Sequence, residues 1–311
     1  MKVAWLFPGQ GAQEVGMGKA LAESSEAARD VFRQADAALG EPLSRLCFEG
    51  PIEELTLTRN TQPALVAASC ATLAALRERY PELGVPVFAA GHSLGEYSAL
   101  VAAGALSLED AVRLCRLRGE AMQEAVPAGQ GGMAAVMGVD APTLKALCEE
   151  AAQGEIVSAA NYNGPGQTVI AGHASAVSRV GELVAKHGGK MVVLKVSAPF
   201  HCALMRPAAE RLDAALAETR FGALAFPVIA NVSGEPNGDP GEVRSLLVEQ
   251  VASPVQWLRT IERMVDEGVT HALEIGPGKV LAGLVKRISK QIKVLGVNDP
   301  ATVESVASFL A

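Results

Sequence analysis

Two periodicities alternate along this chain, and that alternation limits its fold more than any single motif does. Short β-branched or apolar runs at 3–7, 86–90, 227–231, 271–275 and 292–297 are separated by amphipathic stretches rich in Ala, Leu, Glu and Arg. The stretches at 65–80, 108–124, 203–219 and 279–288 carry helical spacing. Apolar strands that alternate with helices belong to a mostly parallel sheet covered by helices, an α/β fold of the hydrolase-like kind. The segment EIGPGK at 274–279 condenses the pattern into a strand end, a Gly-Pro-Gly turn and a helix start. A chain of 311 residues, 49% of them hydrophobic, can bury a core large enough for such a unit.

The middle of the chain breaks the rhythm. Residues 133–196 read strand, helix, strand, turn, strand, helix, strand, the βαββαβ order of a ferredoxin-like unit. Gly129, Gly131 and Gly132 mark its entrance, and Ser197, Ala198 and Pro199 its exit. The sequence therefore predicts a large catalytic domain made of 1–128 and 198–311, with a small subdomain, 129–197, inserted into it. A cleft between two such units is a favoured place for a ligand.

Charge and cysteine content exclude several classes of function. A formal charge of -7 disfavours nucleic acid and anionic membrane, which reward a basic surface. The apolar run between Lys2 and Pro8 is too short for a secretory signal, and no run approaches a membrane span, so a cytoplasmic protein is expected. Cys47, Cys70, Cys115, Cys148 and Cys202 are scattered and odd in number, which predicts buried free thiols rather than disulfides or a zinc site.

The chemistry concentrates at Gly91-His92-Ser93-Leu94-Gly95. Small residues on both sides of a serine let the backbone double back between a strand and a helix, leaving the hydroxyl exposed at the helix N-terminus. About 0.2 chance matches to such a pattern are expected at this composition, so its setting between PVFAA and EYSALVAAGAL carries the weight. The alternative is a tight turn whose serine merely caps a helix. A serine at its free pKa needs a base, and there are five histidines to choose from. His173, His187 and His271 occupy a turn, a polar helix end and a strand start, and His92 adjoins Ser93 on a turn where neighbouring side chains diverge. His201, in SAPFHCALM, stands where the main unit resumes after the insert and is the candidate base. No carboxylate is well placed to orient it, which predicts a Ser-His dyad held by a backbone carbonyl.

Four strings, FPGQGAQ, GHSLGEYSAL, RLRGEAMQ and SAPFHCALM, together with NYNGPGQTVIAG, ANVSG, PVQW and EIGPGKVL, closely resemble the malonyl-CoA:acyl carrier protein transacylases and related polyketide acyltransferase domains. The resemblance runs in order from Trp5 to about Lys286. It implies ping-pong transfer of a malonyl group from malonyl-CoA, through an ester on Ser93, to the pantetheine thiol of acyl carrier protein, for fatty acid synthesis. On the same basis His201 is the base, the carbonyl of Gln250 orients it, and the amides of Gln10 and Leu94 form the oxyanion hole. Arg118 corresponds to the arginine that grips the malonyl carboxylate in a fork, a geometry lysine cannot copy.

Phe200 and Leu94 are the residue types that this family associates with malonyl over methylmalonyl. His92 joins the substrate-binding set, and Asn163 and Gln62 match positions near the pantetheine path. Met122 and Met133 fit the pocket lining and ordinary core equally well. Lys190 and Lys195 are candidates for the CoA phosphates. The basic cluster Lys286, Arg287, Lys290 and Lys293 departs from an otherwise acidic surface, and Lys286 and Arg287 are read either as a docking patch for an acidic carrier protein or as cations closing a helix. No cofactor and no metal are implied, and a monomer is expected. The competing readings are a serine hydrolase, a discrete polyketide-type acyltransferase and a non-catalytic carrier-binding module.

Overall fold

The computed structural model describes residues 1–196 and 198–311. Strands β1 (Val3–Phe7), β2 (Phe88–Gly91), β7 (Val228–Ile229), β8 (Pro236–Asn237), β9 (His271–Ile275) and β10 (Lys293–Val297) form one sheet in the order β10-β9-β1-β2-β7-β8. All neighbours in it are parallel except the short β7–β8 pair. The alternation of strand residues sends Trp5, Phe7, Ala89, Leu273 and Ile275 to one face. Ala4, Leu6, Ala90 and Ala272 go to the other. Helices Glu26–Leu39, Thr58–Arg79 and Leu108–Glu124 cover the first face, and Trp257–Asp266 and Val280–Ile288 cover the second. Burial on both sides is why these strands read as unbroken apolar runs.

The second sheet holds β3 (Gly131–Met137), β4 (Val157–Gly164), β5 (Gln167–His173) and β6 (Lys190–Val193), in the order β4-β5-β3-β6 with every pair antiparallel. Helices Ala141–Ala152 and Ala174–Lys186 lie on one of its faces over a separate core that includes Leu144, Leu147, Val180 and Val184. This is the βαββαβ arrangement. β6 ends at Val193, three residues short of the expected run, and Ser197 lies outside the described residues. The outer strand β4 is stitched to the large unit: the Tyr162 amide donates to the Val255 carbonyl (2.9 Å), and the Val255 amide to Ala160 (2.9 Å).

Three more of the boundary differences have a local reason. The helix expected at 65 begins at Thr58, because the Asn60 and Thr61 side chains bond back to the carbonyls of Glu54 (2.8 Å) and Leu55 (2.5 Å) and anchor its first turn. Pro63 is tolerated early in that helix at the loss of one backbone bond. The stretch 203–219 divides into a 3-10 turn, Ala203–Met205, and an α-helix, Arg206–Ala217, since Pro207 favours the start of a helix over its interior. β7 stops at Ile229 because the Ala230 amide closes the turn to β8 through the Glu235 carbonyl and the Asn231 amide goes to the Glu96 carboxyl.

Candidate active site

β2 ends at Gly91 and the next helix, Gly95–Ala102, starts at Gly95, so the chain reverses within three residues. Ser93 sits at the apex with φ 53°, in the left-handed region that a side chain enters only when its surroundings enforce it. A Cβ on Gly91 would fall 1.9 Å from the Gly95 carbonyl carbon, and one on Gly95 would fall 2.3 Å from the Phe7 oxygen. The two glycines are thus required by close approach, which is the physical content of the Gly-x-Ser-x-Gly spacing. Asn231 clasps the turn from outside: its Oδ1 accepts from the Ser93 amide (2.7 Å) while its Nδ2 donates to the Gly91 carbonyl (2.7 Å).

His201 lies across the cleft, also at positive φ (58°), with Nε2 2.7 Å from Ser93 Oγ. Its Nδ1 is 2.9 Å from the backbone oxygen of Gln250. A carbonyl can only accept, so the proton resides on Nδ1 and the Nε2 lone pair faces the serine hydroxyl. Burial, reinforced by the nearby Arg118 cation, pushes the imidazole down to about 3 and keeps it neutral, the form a general base needs. The other histidines are occupied elsewhere. His173 ends β5, where its Nδ1 accepts from the Ile156 amide, His187 closes a helix, and His271 meets the Thr270 hydroxyl. His92 borders the cavity, held by a 2.9 Å contact to Asn163 Oδ1 and packed against Trp257. Burial lowers its pKa, partly offset by that contact.

Arg118, 1% exposed, is aimed at the nucleophile. One Nη2 hydrogen bond reaches Ser93 Oγ (3.1 Å) and another Gln250 Oε1 (2.8 Å), while Nη1 reaches Gln62 Oε1 (2.8 Å) and Nε is buried without a partner. A guanidinium has five N–H donors. Three are engaged, so an anion entering here meets a fixed, desolvated cation with donors to spare. The Gln250 side chain completes the network by donating to the Ser93 carbonyl (3.0 Å) and to Glu96 Oε2 (2.8 Å). Glu96 also accepts from the Asn231 amide (3.0 Å).

These groups border a cavity of about 120 Å³ lined by Gln10, Met122, Met133, Asn161 and Phe200 beside Ser93, His201 and Arg118. Gln10, Leu194 and Val196 also line an adjoining outer groove of about 470 Å³, which Lys195 borders too. The amides of Gln10 and Leu94 have no intramolecular acceptor among the described residues, as an oxyanion site requires.

Several expected roles shift. Gln62 does not line the outer groove; it is buried, lines the inner cavity and accepts from Arg118 through Oε1. Asn163 reaches His92 rather than the cavity, and Asn161, two residues earlier on β4, takes the lining position. The Leu94 side chain is buried and does not line the cavity, which leaves only its amide to act there. Lys286 and Arg287 are exposed in the last turn of their helix and border neither cavity nor groove, Arg287 donating instead to Gln167 Oε1 of the insert (2.7 Å). Sequence reasoning missed Asn231, Glu96 and the side chain of Gln250. The strings ANVSG and GHSLGEYSAL contained the first two. Among the described residues no cluster of His, Cys, Asp or Glu could hold a metal, and no helix is long and apolar enough to cross a membrane.

Comparison with known proteins agrees with this geometry. The acyl transferase domain family matches residues 4–309. A malonyl CoA-acyl carrier protein transacylase of Bacillus subtilis is 50% identical over 306 residues, covering 97% of this chain and 95% of that one. The crystal structure of an acyl-carrier-protein-S-malonyltransferase from Bartonella henselae superposes with a TM-score of 0.96 at 48% identity, covering 100% of this chain and 99% of the other. A malonyl-transacylase in complex with a type II PKS acyl-carrier protein gives 0.96 at 44% identity, over 99% and 100% of the two chains.

Proposed function

The chain belongs to the acyl transferase domain family, and from that premise we propose that it moves a malonyl group from malonyl-CoA to the pantetheine thiol of acyl carrier protein through an ester on Ser93. Ser93 Oγ attacks the thioester carbonyl as His201 Nε2 takes its proton. The Gln10 and Leu94 amides hold the developing oxyanion, and the carbonyl of Gln250 stabilises the imidazolium through Nδ1. The tetrahedral intermediate collapses with loss of CoA thiolate, which His201 protonates. The carrier thiol then enters, gives its proton to His201 and attacks the ester; it leaves as the malonyl thioester while His201 returns that proton to the departing Ser93 Oγ. The electrophile arrives activated as a thioester, so these steps invoke no metal or cofactor.

One observation carries the substrate assignment: a buried arginine lies 3.1 Å from the nucleophile with its Nε unpartnered. A dicarboxylic acyl group offers a carboxylate to the unengaged N–H donors of this guanidinium, whereas an acetyl group leaves those donors unanswered. This disfavours a plain esterase. The connected cavity and groove support ping-pong order, since donor and acceptor thiols share one route and must take turns. The small cavity and the ring of Phe200 favour malonyl over branched homologues. The five unpaired buried cysteines support a reducing compartment, the cytoplasm. Fatty acid synthesis is the proposed pathway. The likeness to a transacylase complexed with a type II PKS carrier keeps polyketide supply as the second reading, with the same chemistry.

The test is intact mass after mixing with malonyl-CoA or acetyl-CoA. Wild type gains a malonyl adduct that Ser93→Ala lacks. Acetyl loading as efficient as malonyl loading refutes the substrate assignment.

A further inference from the structure

The steps above use Arg118 and the backbone of Gln250 but leave idle a buried acid on the far side of them. Glu96 is 3% exposed, one turn beyond the nucleophile. Its Oε2 accepts from the Asn231 amide and from Gln250 Nε2, and the same Gln250 amide presents Oε1 to Arg118 at 2.8 Å. Glu96 and Arg118 are therefore a buried pair separated by a single primary amide. Arg118 is the one cation that faces Glu96 among the described residues. The other elements packed on the acid contribute neutral donors, Asn231 after β7 and Gln250 from helix Pro240–Ala252. On its own helix the neighbouring Tyr97 phenol is pushed far above its ordinary range by burial and stays neutral. When Glu96 is ionised, the site holds one buried negative charge for one buried positive charge before any acyl group enters.

A malonyl carboxylate on Arg118 upsets that balance. It brings a second anion to one buried cation, and burial of both Glu96 and Arg118 weakens the screening of the two negative charges. We propose that Glu96 is a positioning residue that couples dicarboxylate binding to proton uptake: ionised while Arg118 has no other anion, it takes a proton from solvent when the malonyl carboxylate arrives. This deepens the malonyl-transfer reading and rests on it. The balance is simple: one O–H bond forms at Glu96 from a solvent proton, and no other bond breaks. Oε1, which bonds to no other described residue, is free to carry the proton, while Oε2 continues to accept from Asn231 and Gln250. Burial already pushes this carboxyl up to about 7, with Gln250, Asn231 and Arg118 pulling the other way, so the added anion acts on a group poised near neutrality. The amide of Gln250 keeps its orientation throughout, and with it Arg118 and the carbonyl that holds His201.

The test uses full-length Ser93→Ala, which binds thioesters without reacting, and calorimetry at pH 8 in two buffers of different ionisation enthalpy. Malonyl-CoA is expected to take up roughly one proton per molecule bound, acetyl-CoA none, and malonyl-CoA none when Glu96→Gln is added to Ser93→Ala. In otherwise wild-type enzyme the KM for malonyl-CoA should rise up to about tenfold per pH unit between about 7 and 9, with that for acetyl-CoA flat and Glu96→Gln flattening the malonyl curve without altering the pH dependence of kcat. Should the Glu96→Gln protein not fold, the comparison of the two thioesters on the Glu96 protein decides alone. Malonyl-CoA binding with no buffer-dependent heat overturns the proposal and leaves the substrate reading intact. Failure of malonyl-CoA to bind more tightly than acetyl-CoA overturns the substrate reading itself.

Discussion

Replacing Arg118 with alanine separates acyl selection from acyl transfer. On the malonyl reading, the guanidinium contributes two charge-assisted hydrogen bonds to the far carboxylate, each worth about 1.5–3 kcal/mol. Because water refills the vacated space, a net loss of about 3–4 kcal/mol is expected, or roughly 10²–10³-fold in the rate of malonyl loading per mole of free thioester. Acetyl-CoA has no carboxylate to lose, so its loading changes only through the lost contact to Ser93 Oγ, a single bond at 3.1 Å. The malonyl-to-acetyl ratio should therefore collapse by about 10²-fold, while stability falls for a separate reason. Gln62 Oε1 and Gln250 Oε1, both bonded to Arg118 at 2.8 Å, lose their donor. Orphaned acceptors cost about 1–3 kcal/mol each, partly offset by no longer burying a cation, so a net loss near 2 kcal/mol and a Tm lower by roughly 4 °C are expected. Arg118→Lys keeps the charge but cannot fork, and should retain stability better than selectivity. The assay is single-turnover acyl-enzyme formation followed by mass. Equal losses for both thioesters would refute the reasoning, because Arg118 would then serve only the architecture around Ser93.

Two further outcomes follow from the site and its surroundings. His201 is held near 3 by burial and Arg118, so the base is neutral at every pH above that value; loading should be flat from pH 5 to 7, and an acid limb near 6.5 in kcat/KM contradicts a buried neutral imidazole. Lys286→Glu with Arg287→Glu should slow transfer to carrier protein in a salt-dependent way and leave loading from malonyl-CoA unchanged, since neither residue borders the cavity; equal slowing of both half-reactions removes the docking patch.

What could be read in the sequence was whatever the backbone demands locally. The elbow was legible because three residues must reverse the chain and only glycine fits at 91 and 95, where a Cβ would meet backbone atoms. Strand and helix alternation was legible because burial on both faces leaves unbroken apolar runs. His201 emerged by elimination among five histidines, a short list that made elimination workable. Asn231 and Glu96 were harder to find for opposite reasons. Asn231 acts 138 residues away from the amide it caps, and nothing in a lone asparagine at a strand end announces that partner. Glu96 looks like an ordinary acidic residue in the first turn of a helix, where it would favour the helix dipole from solvent. Only the apolar residues that follow it, in YSALVA, hint that the whole helix is buried. The corrected helix start at Thr58 belongs with these, since it depends on two side chains reaching back across a turn.

The long-range contacts explain why the reacting groups can tolerate strained backbone. Ser93 and His201 both occupy the left-handed region, at φ 53° and 58°, and strain of order 1–3 kcal/mol each persists only where neighbours over-determine the geometry. Ser93 is over-determined by Asn231 on its amide, Gln250 on its carbonyl and the glycine contacts around it. His201 is fixed by Gln250 as well, through Nδ1. Gln250 therefore touches both strained residues and Arg118 at once, with its backbone oxygen on the imidazole and its side chain on the serine and the guanidinium. Its backbone is followed within five residues by Val255, the point where the insert is stitched to the large unit. The point where the insert is stitched to the large unit and the residue that aligns the nucleophile, the base and the cation thus lie on one short segment. A shift of the insert relative to the large unit would therefore reach the chemistry through that segment as well as through the cavity wall.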